Sequence, residues 1–194
     1  MRQASAVRQP VAALSQDKKR LLEIIKSKSF LKGQFQLASG GMSDYYLDMK
    51  PTMFDPEGAS LCAEIVYGLL VDELDVSAIG GLELGAVPII TTVVARSAHG
   101  PRQVDGFVVR KEKKGHGTDK KIDGNFQDHS TVILIDDVTT KAGSVMEAVK
   151  AVRQRGGTVK KIITIVDRLE GAEENLRREG IELVPVFTTA DLKS

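Results

Sequence analysis

Short apolar runs of strand-like composition alternate with helical patterns along most of the chain, and this alternation restricts the possible folds. It predicts strands over residues 76–81, 105–110, 131–137, 161–167 and 182–188, and helices over 16–28, 57–73, 86–98, 144–155 and 171–179. The run from Val132 to Ile135 is apolar throughout, as a strand covered by helices on both faces requires. The sequence therefore predicts an α/β fold with an open, doubly wound, mostly parallel sheet. Pro185 favours an edge position for the last strand.

Length and charge limit the classes of function. A chain of 194 residues suits a single domain, and we expect a poorly ordered leader or a first partial helix over 1–15, a small hood over about 16–55 and a core over about 56–194. The 27 basic and 26 acidic side chains give a net charge of +1, which argues against nucleic-acid binding. No apolar run approaches the roughly 20 residues of a membrane span. Cys62 is the single cysteine, so a reducing, cytoplasmic location is expected.

The segment ILIDDVTTKAGSV, residues 133–145, carries the strongest chemical signal. A strand ends in Asp136 and Asp137, and a run of small, hydroxylated residues then leads into a helix. Small side chains and helix N-terminal amides together favour a phosphate monoester, while the carboxylates can accept hydrogen bonds from a diol. The sequence thus indicates a ribose 5-phosphate site. The alternative is a capping box formed by Ser144 and Glu147.

A second signal is the basic segment RKEKKGHGTDKK, residues 110–121, which follows a predicted strand. Such a segment lacks apolar anchors and can close over a polyanion. The alternative is an ordinary solvated run of charges.

Two further segments could contact a ligand. FQLASGGMSDYYLDMK, residues 35–50, predicts a separate hairpin or hood, in which Tyr45 and Tyr46 alternate between a packed face and a ligand face. Arg168 follows another predicted strand and has the planar donor geometry that suits a carboxylate. The alternatives are packing for the tyrosines and a surface ion pair with Glu170 for Arg168.

These four segments, in this order, resemble those of the orotate phosphoribosyltransferases over roughly residues 20–190. DDVTTKAGS resembles the phosphoribosyl-pyrophosphate (PRPP) signature of type I phosphoribosyltransferases, and RKEKKGHG resembles the catalytic loop of the orotate enzymes. FQLASGGMSDYY and VDR resemble their orotate-binding segments. The resemblance implies that the chain joins orotate to the ribose of PRPP, giving orotidine 5′-monophosphate and pyrophosphate.

The resemblance also implies roles for individual residues. Lys114, His116 and Asp137 would be catalytic. PRPP would be bound by Arg110, Lys111, Lys114, His116, Asp136, Asp137, Val138, Thr139, Thr140, Lys141, Ala142, Gly143 and Ser144. Orotate would be bound by Tyr45, Tyr46, Thr140 and Arg168. Mg²⁺ would be held mainly through the substrate, with Asp136 or Asp137 available to assist. A homodimer that shares the basic loop between subunits is implied as well.

Three positions depart from the family pattern. Many members carry Lys where this chain has Ala38 and Gly85, and Gly where it has Ala142, whose methyl group we expect inside the phosphate cradle. Two other functions stay open at this point. One is a type I phosphoribosyltransferase for another base, which Arg168 disfavours. The other is a non-catalytic PRPP sensor, which would have no need of the basic loop.

Overall fold

The computed structural model describes residues 11–36, 41–111 and 121–194, with the backbone alone for residues 11–15. Its elements in chain order are α1 (Val11–Lys28), β1 (Phe30–Gln36), β2 (Met42–Leu47), α2 (Lys50–Met53), α3 (Pro56–Leu70), β3 (Ala78–Leu82), α4 (Ala86–Ser97), β4 (Asp105–Val109), β5 (Ile122–Gly124), β6 (Thr131–Thr139), α5 (Gly143–Gln154), β7 (Thr158–Asp167), α6 (Ala172–Arg178), β8 (Glu182–Thr188) and α7 (Thr189–Lys193). None of the helices in these ranges is both long and apolar enough to cross a membrane.

The central sheet has six strands in the order β5-β4-β3-β6-β7-β8. All neighbouring pairs are parallel except β4 and β5, so the predicted mostly parallel sheet is confirmed. From β3 the chain proceeds outward to β4 and β5, and from β6 it proceeds outward the other way to β7 and β8. The direction of winding therefore reverses between β3 and β6, where open α/β sheets bind their ligands beyond the carboxyl ends of the strands.

Both faces of the sheet are buried, because successive side chains of a strand point to opposite faces. In β6, Ile133 and Ile135 pack with the cluster formed by α1, α3 and α4. Val132 and Leu134 pack on the other face with the cluster that contains α5 and α6. The continuous apolar run in the sequence is thus explained by two helix layers.

The predicted elements recur with small shifts at their ends. The prediction for β8 agrees at both ends, and Pro185 lies on this edge strand, as expected. Helix α1 begins at Val11, so residues 11–15 are helical, and residues 1–10 lie outside the described part of the chain. The short elements α2, β5 and α7 were not predicted.

The strands β1 and β2 form an antiparallel hairpin that is a sheet of its own, in agreement with the expected hairpin. The chain then enters α3 through a defined cap, in which the Asp55 carboxylate accepts a hydrogen bond of 2.9 Å from the Gly58 amide and Pro56 occupies the first turn. These local features fix where α3 begins after the hairpin and α2.

Candidate active site

The acidic pair lies at the carboxyl end of β6, next to the point where the winding reverses. Asp136 accepts a hydrogen bond of 3.0 Å from the Thr139 hydroxyl, and Asp137 accepts one of 2.9 Å from the Val138 amide. Asp136 continues the α5-facing side of the strand, whereas Asp137 continues the side that faces α4. The two carboxylates are therefore half-buried on opposite sides of the same strand end.

Both carboxyl groups have raised pKa values. Burial, and then the neighbouring charge of Asp137, raises the pKa of Asp136 to about 7. Burial also raises the pKa of Asp137, against the lowering effects of the Val138 amide and of the Lys50 ammonium. Ionising both groups without a ligand is thus unfavourable, and hydroxyl donors or a cation at this position would relieve the cost.

The turn after β6 has the form of an anion cradle. Thr139 is buried, Thr140 and Lys141 follow in the turn, and Gly143 and Ser144 are the first residues of α5. A Cβ atom added at Gly143 would meet no atom of the described residues within 4 Å, so among these residues the helix start is open on that side. Because Ser144 lies inside α5, the alternative capping box with Glu147 is not formed. The positive end of the helix is left available for an anion.

The backbone of Ala142 explains why glycine suits this position. Its φ of 66° is left-handed, a conformation that glycine adopts at lower cost than alanine. The prediction for its methyl group was wrong, because Ala142 is buried and packs in the apolar cluster under α5. The methyl group therefore contributes to the core and does not enter the turn.

Arg168 lies beside this turn because β7 pairs with β6. Thr139 is the register partner of Asp167, and the Arg168 amide donates a 2.9 Å hydrogen bond to the Thr139 carbonyl. The Arg168 Nε donates a 3.0 Å hydrogen bond to the Tyr45 hydroxyl and lies 2.8 Å from Glu170 Oε1. The alternative pair with Glu170 thus exists, but the Arg168 side chain is only 14% exposed.

The two tyrosines separate as the alternation in a strand predicts. Tyr45 is 7% exposed and packs against Phe30, with 5.2 Å between ring centroids. Tyr46 is 45% exposed and packs against Phe35, with 5.6 Å between centroids. One tyrosine therefore contacts Arg168, and the other is available to a ligand.

The start of the basic segment follows β4. The Arg110 guanidinium lies 3.3 Å from an Asp123 carboxylate oxygen, and among the described residues its buried Nε has no hydrogen-bond partner. The Lys111 amide donates a 2.8 Å hydrogen bond to Glu83. The remaining predicted residues of this loop, Lys114 and His116, lie outside the described residues.

Sequence reasoning missed two residues that approach Asp137. A Cβ atom added at Gly85, in the loop between β3 and α4, would lie 2.7 Å from Asp137 Cγ and 2.9 Å from Oδ2. Lys50, the first residue of α2, is held by Asp48 at 2.6 Å, and its charge acts on Asp137. The hydrogen bond that the Lys50 ammonium donates to Asp48, with a smaller effect of the Asp137 charge, raises the pKa of Lys50. Only the position of Gly85 just after a predicted strand pointed to the first contact.

Comparisons with known proteins agree with this arrangement. No family model matches the chain. The orotate phosphoribosyltransferase of Methanocaldococcus jannaschii is 43% identical over 178 residues, which cover 91% of this chain and 97% of the relative. A crystal structure of the Mycobacterium tuberculosis H37Rv orotate phosphoribosyltransferase superposes with a TM-score of 0.80 at 35% identity, covering 92% of this chain and 99% of that one. The structure of the same enzyme in complex with PRPP gives a TM-score of 0.76 at 32% identity, with the same coverage.

The doubly wound sheet, with an acidic pair and the start of a helix at the point where its winding reverses, matches the type I phosphoribosyltransferase fold. The relatives identify the family within this class, since the similarity spans nearly the whole chain. The chain belongs to the orotate phosphoribosyltransferase family. The fold, the enzyme class and the orotate-specific function predicted from the sequence are thereby confirmed.

Proposed function

We propose that the chain binds PRPP along the carboxyl ends of β3 and β6 and binds orotate between this position and Arg168. The observation that carries the proposal is the hydrogen bond between the Arg168 amide and the Thr139 carbonyl, which holds the Arg168 backbone beside the turn that we propose to bind the phosphate. A neutral purine would offer no partner for this cation, so the geometry favours orotate.

The acidic pair would bind the ribose. In this proposal Asp136 and Asp137 accept hydrogen bonds from the two ribose hydroxyls, and the amides and side chains of residues 139–144 hold the 5-phosphate. Positive charge develops on the ribose ring as the bond to pyrophosphate breaks. A fixed carboxylate at Asp137 stabilises that charge, since its position is set before the reaction begins.

The pyrophosphate side would be formed by the basic segment. Arg110 and Lys111 stand at the end of β4, and we propose that Lys114 and His116 contact the departing pyrophosphate. Thr140 would contribute to the orotate site together with Arg168 and the exposed Tyr46. The position of these groups around one strand-end crevice supports the proposal.

The residues present fit a magnesium ion that arrives with the substrate. The described residues contain no group of three or more His, Cys, Asp or Glu side chains able to hold a metal. Asp136 and Asp137 together offer the one or two carboxylates that Mg²⁺ commonly takes from a protein beside substrate phosphates. When bound, the ion would neutralise charge on the pyrophosphate.

A homodimer with a shared basic loop and a cytoplasmic location are part of the same proposal. The dimer rests on the family resemblance of the loop. The location is supported by Cys62, a buried free thiol that is typical of proteins in reducing compartments.

The test is an assay of base choice. The protein is incubated with PRPP, Mg²⁺ and either orotate, uracil or adenine, and the absorbance of the base is followed together with pyrophosphate release. We expect turnover of orotate and a far lower rate with the other two bases. A folded protein that leaves orotate unchanged, or that uses uracil equally well, would contradict the proposal.

A further inference from the structure

Two cations approach the Tyr45 ring in the described structure. The Arg168 guanidinium carbon is 4.9 Å from the ring centroid, and the Lys193 ammonium is 4.6 Å from it. Lys193, at the end of α7, also lies 3.3 Å from the carboxylate of Asp44. Through these cation–π contacts, the buried ring of Tyr45 links the hairpin to Arg168 at the end of β7 and to Lys193 in α7.

The Tyr45 hydroxyl adds direction to this contact. It accepts the Arg168 Nε–H at 3.0 Å, and Glu170 approaches the same nitrogen at 2.8 Å. The Arg168 main chain is also held, because its amide donates to Thr139 and its carbonyl accepts a 3.1 Å hydrogen bond from the Thr189 hydroxyl. The backbone of this arginine is thus held by Thr139 and Thr189, and its Nε edge by Tyr45 and Glu170.

Fixing the Nε edge determines where the rest of the guanidinium points. The guanidinium is planar, and its donors have a fixed fork geometry that matches a carboxylate. With Tyr45 and Glu170 both at Nε, the edge formed by the two terminal nitrogens is the one that can receive a carboxylate in the bidentate manner.

We propose that Tyr45 is a positioning residue for orotate, acting through Arg168 without touching the base. The inference rests on the proposed contact between Arg168 and the orotate carboxylate. It assigns Tyr45 a role different from the direct contact that the family resemblance implies, and it leaves Tyr46 as the tyrosine that meets the ligand. The competing explanation is that Tyr45 only packs against Phe30 within the hairpin.

The substitution Tyr45→Phe separates these explanations, because it keeps the ring and its stacking and removes the hydroxyl alone. We expect kcat/KM for orotate to fall about tenfold, of the order expected for one hydrogen bond to a charged group. The KM for PRPP should stay within about twofold and the Tm within a few degrees, since the apolar contacts remain.

Tyr67 supplies a matched control. Its ring is buried, it lies 5.0 Å from the Arg96 guanidinium carbon, and its hydroxyl donates a 2.7 Å hydrogen bond to the Arg102 carbonyl. The change Tyr67→Phe therefore removes an equivalent hydroxyl from an equivalent environment away from the crevice. It should leave kcat/KM for orotate unchanged, whatever it does to the Tm.

A double-mutant cycle with Arg168→Ala completes the test. If Tyr45 acts through Arg168, adding Tyr45→Phe to Arg168→Ala should produce no further loss with orotate. Independent, additive losses, or an unchanged kcat/KM in Tyr45→Phe, would overturn the positioning role while leaving the enzyme's function intact. The wild-type protein is assayed first, and failure to use orotate at that stage would overturn the proposed function and this role with it.

Discussion

The contact between Gly85 and Asp137 gives the sharpest prediction for catalysis. Gly85 has φ of −55° and ψ of −41°, a right-handed helical conformation that alanine adopts without strain. The substitution Gly85→Ala therefore introduces one new feature, a methyl group 2.7 Å from Asp137 Cγ, 2.9 Å from Oδ2 and closer still to Oδ1. Ordinary contacts between such atoms are about 3.5 Å, so the carboxylate must move by about 1 Å.

The expected cost follows from what Asp137 would lose. Its carboxylate accepts the Val138 amide at 2.9 Å, and a hydrogen bond to a charged group contributes about 1.5–3 kcal/mol. A displacement of about 1 Å at a reacting centre can lower the rate by about 10²-fold. We therefore expect kcat/KM for PRPP in Gly85→Ala to fall by about 10- to 100-fold, with a loss of folding stability no larger than the about 1.5–3 kcal/mol of that hydrogen bond.

The assay varies PRPP at saturating orotate, and denaturant unfolding checks the fold. In an Asp137→Asn background, Gly85→Ala should cost much less, since the charge that we propose to be catalytic has already been removed. Turnover of the single variant within twofold of wild type would refute the claim that this loop fixes Asp137.

Three further predictions test other parts of the site. Because the pKa of Asp136 is raised to about 7, above that of the unfolded chain, the native protein binds more protons between about pH 4 and 7, and its stability falls as the pH rises through this window. Denaturant unfolding should therefore show that Asp136→Asn is about 1–3 kcal/mol more stable than wild type at pH 8 and similar in stability at pH 4. Arg168→Ala should lose about 10- to 100-fold in kcat/KM for orotate and much of the preference over uracil, and an undiminished preference would exclude its role. Lys114→Ala and Asp137→Asn should each lose about 10²–10³ in turnover. If a dimer shares its loops, mixing the two inactive chains should restore about a quarter of wild-type activity, and no recovery after verified subunit exchange would count against sharing.

The larger elements of the fold could be predicted because the pattern of apolar residues in each shows which faces are buried. Strands such as β6 are apolar on both faces, and the helices between them repeat apolar residues at helical spacing. The short strand β5 could not be found in this way, since its three residues form a strand only by pairing with β4. Its sequence, Ile-Asp-Gly, carries no alternation of its own.

The candidate site could be predicted only where it follows the strands. Residues 136–144 and Arg168 come together because β6 and β7 are neighbours and end at the same edge. The contact of Gly85 with Asp137 crosses the point between β3 and β6 where the winding reverses, so no local pattern indicates it. The position of the Ala142 methyl group likewise depends on a left-handed backbone that the residue type does not favour.

The hairpin and the α2 start contribute to both halves of the site, which gives the predicted hood a physical role. On the base side, Tyr45 holds the Nε edge of Arg168. On the ribose side, Lys50 places a positive charge near Asp137 and lowers the pKa that burial raises. A rigid shift of this region would therefore change the electrostatic environment of Asp137 and the direction of Arg168 together. If Arg168 binds the base and Asp137 binds the ribose, as proposed, contacts from this one region to both residues would help to align the base with the ribose carbon.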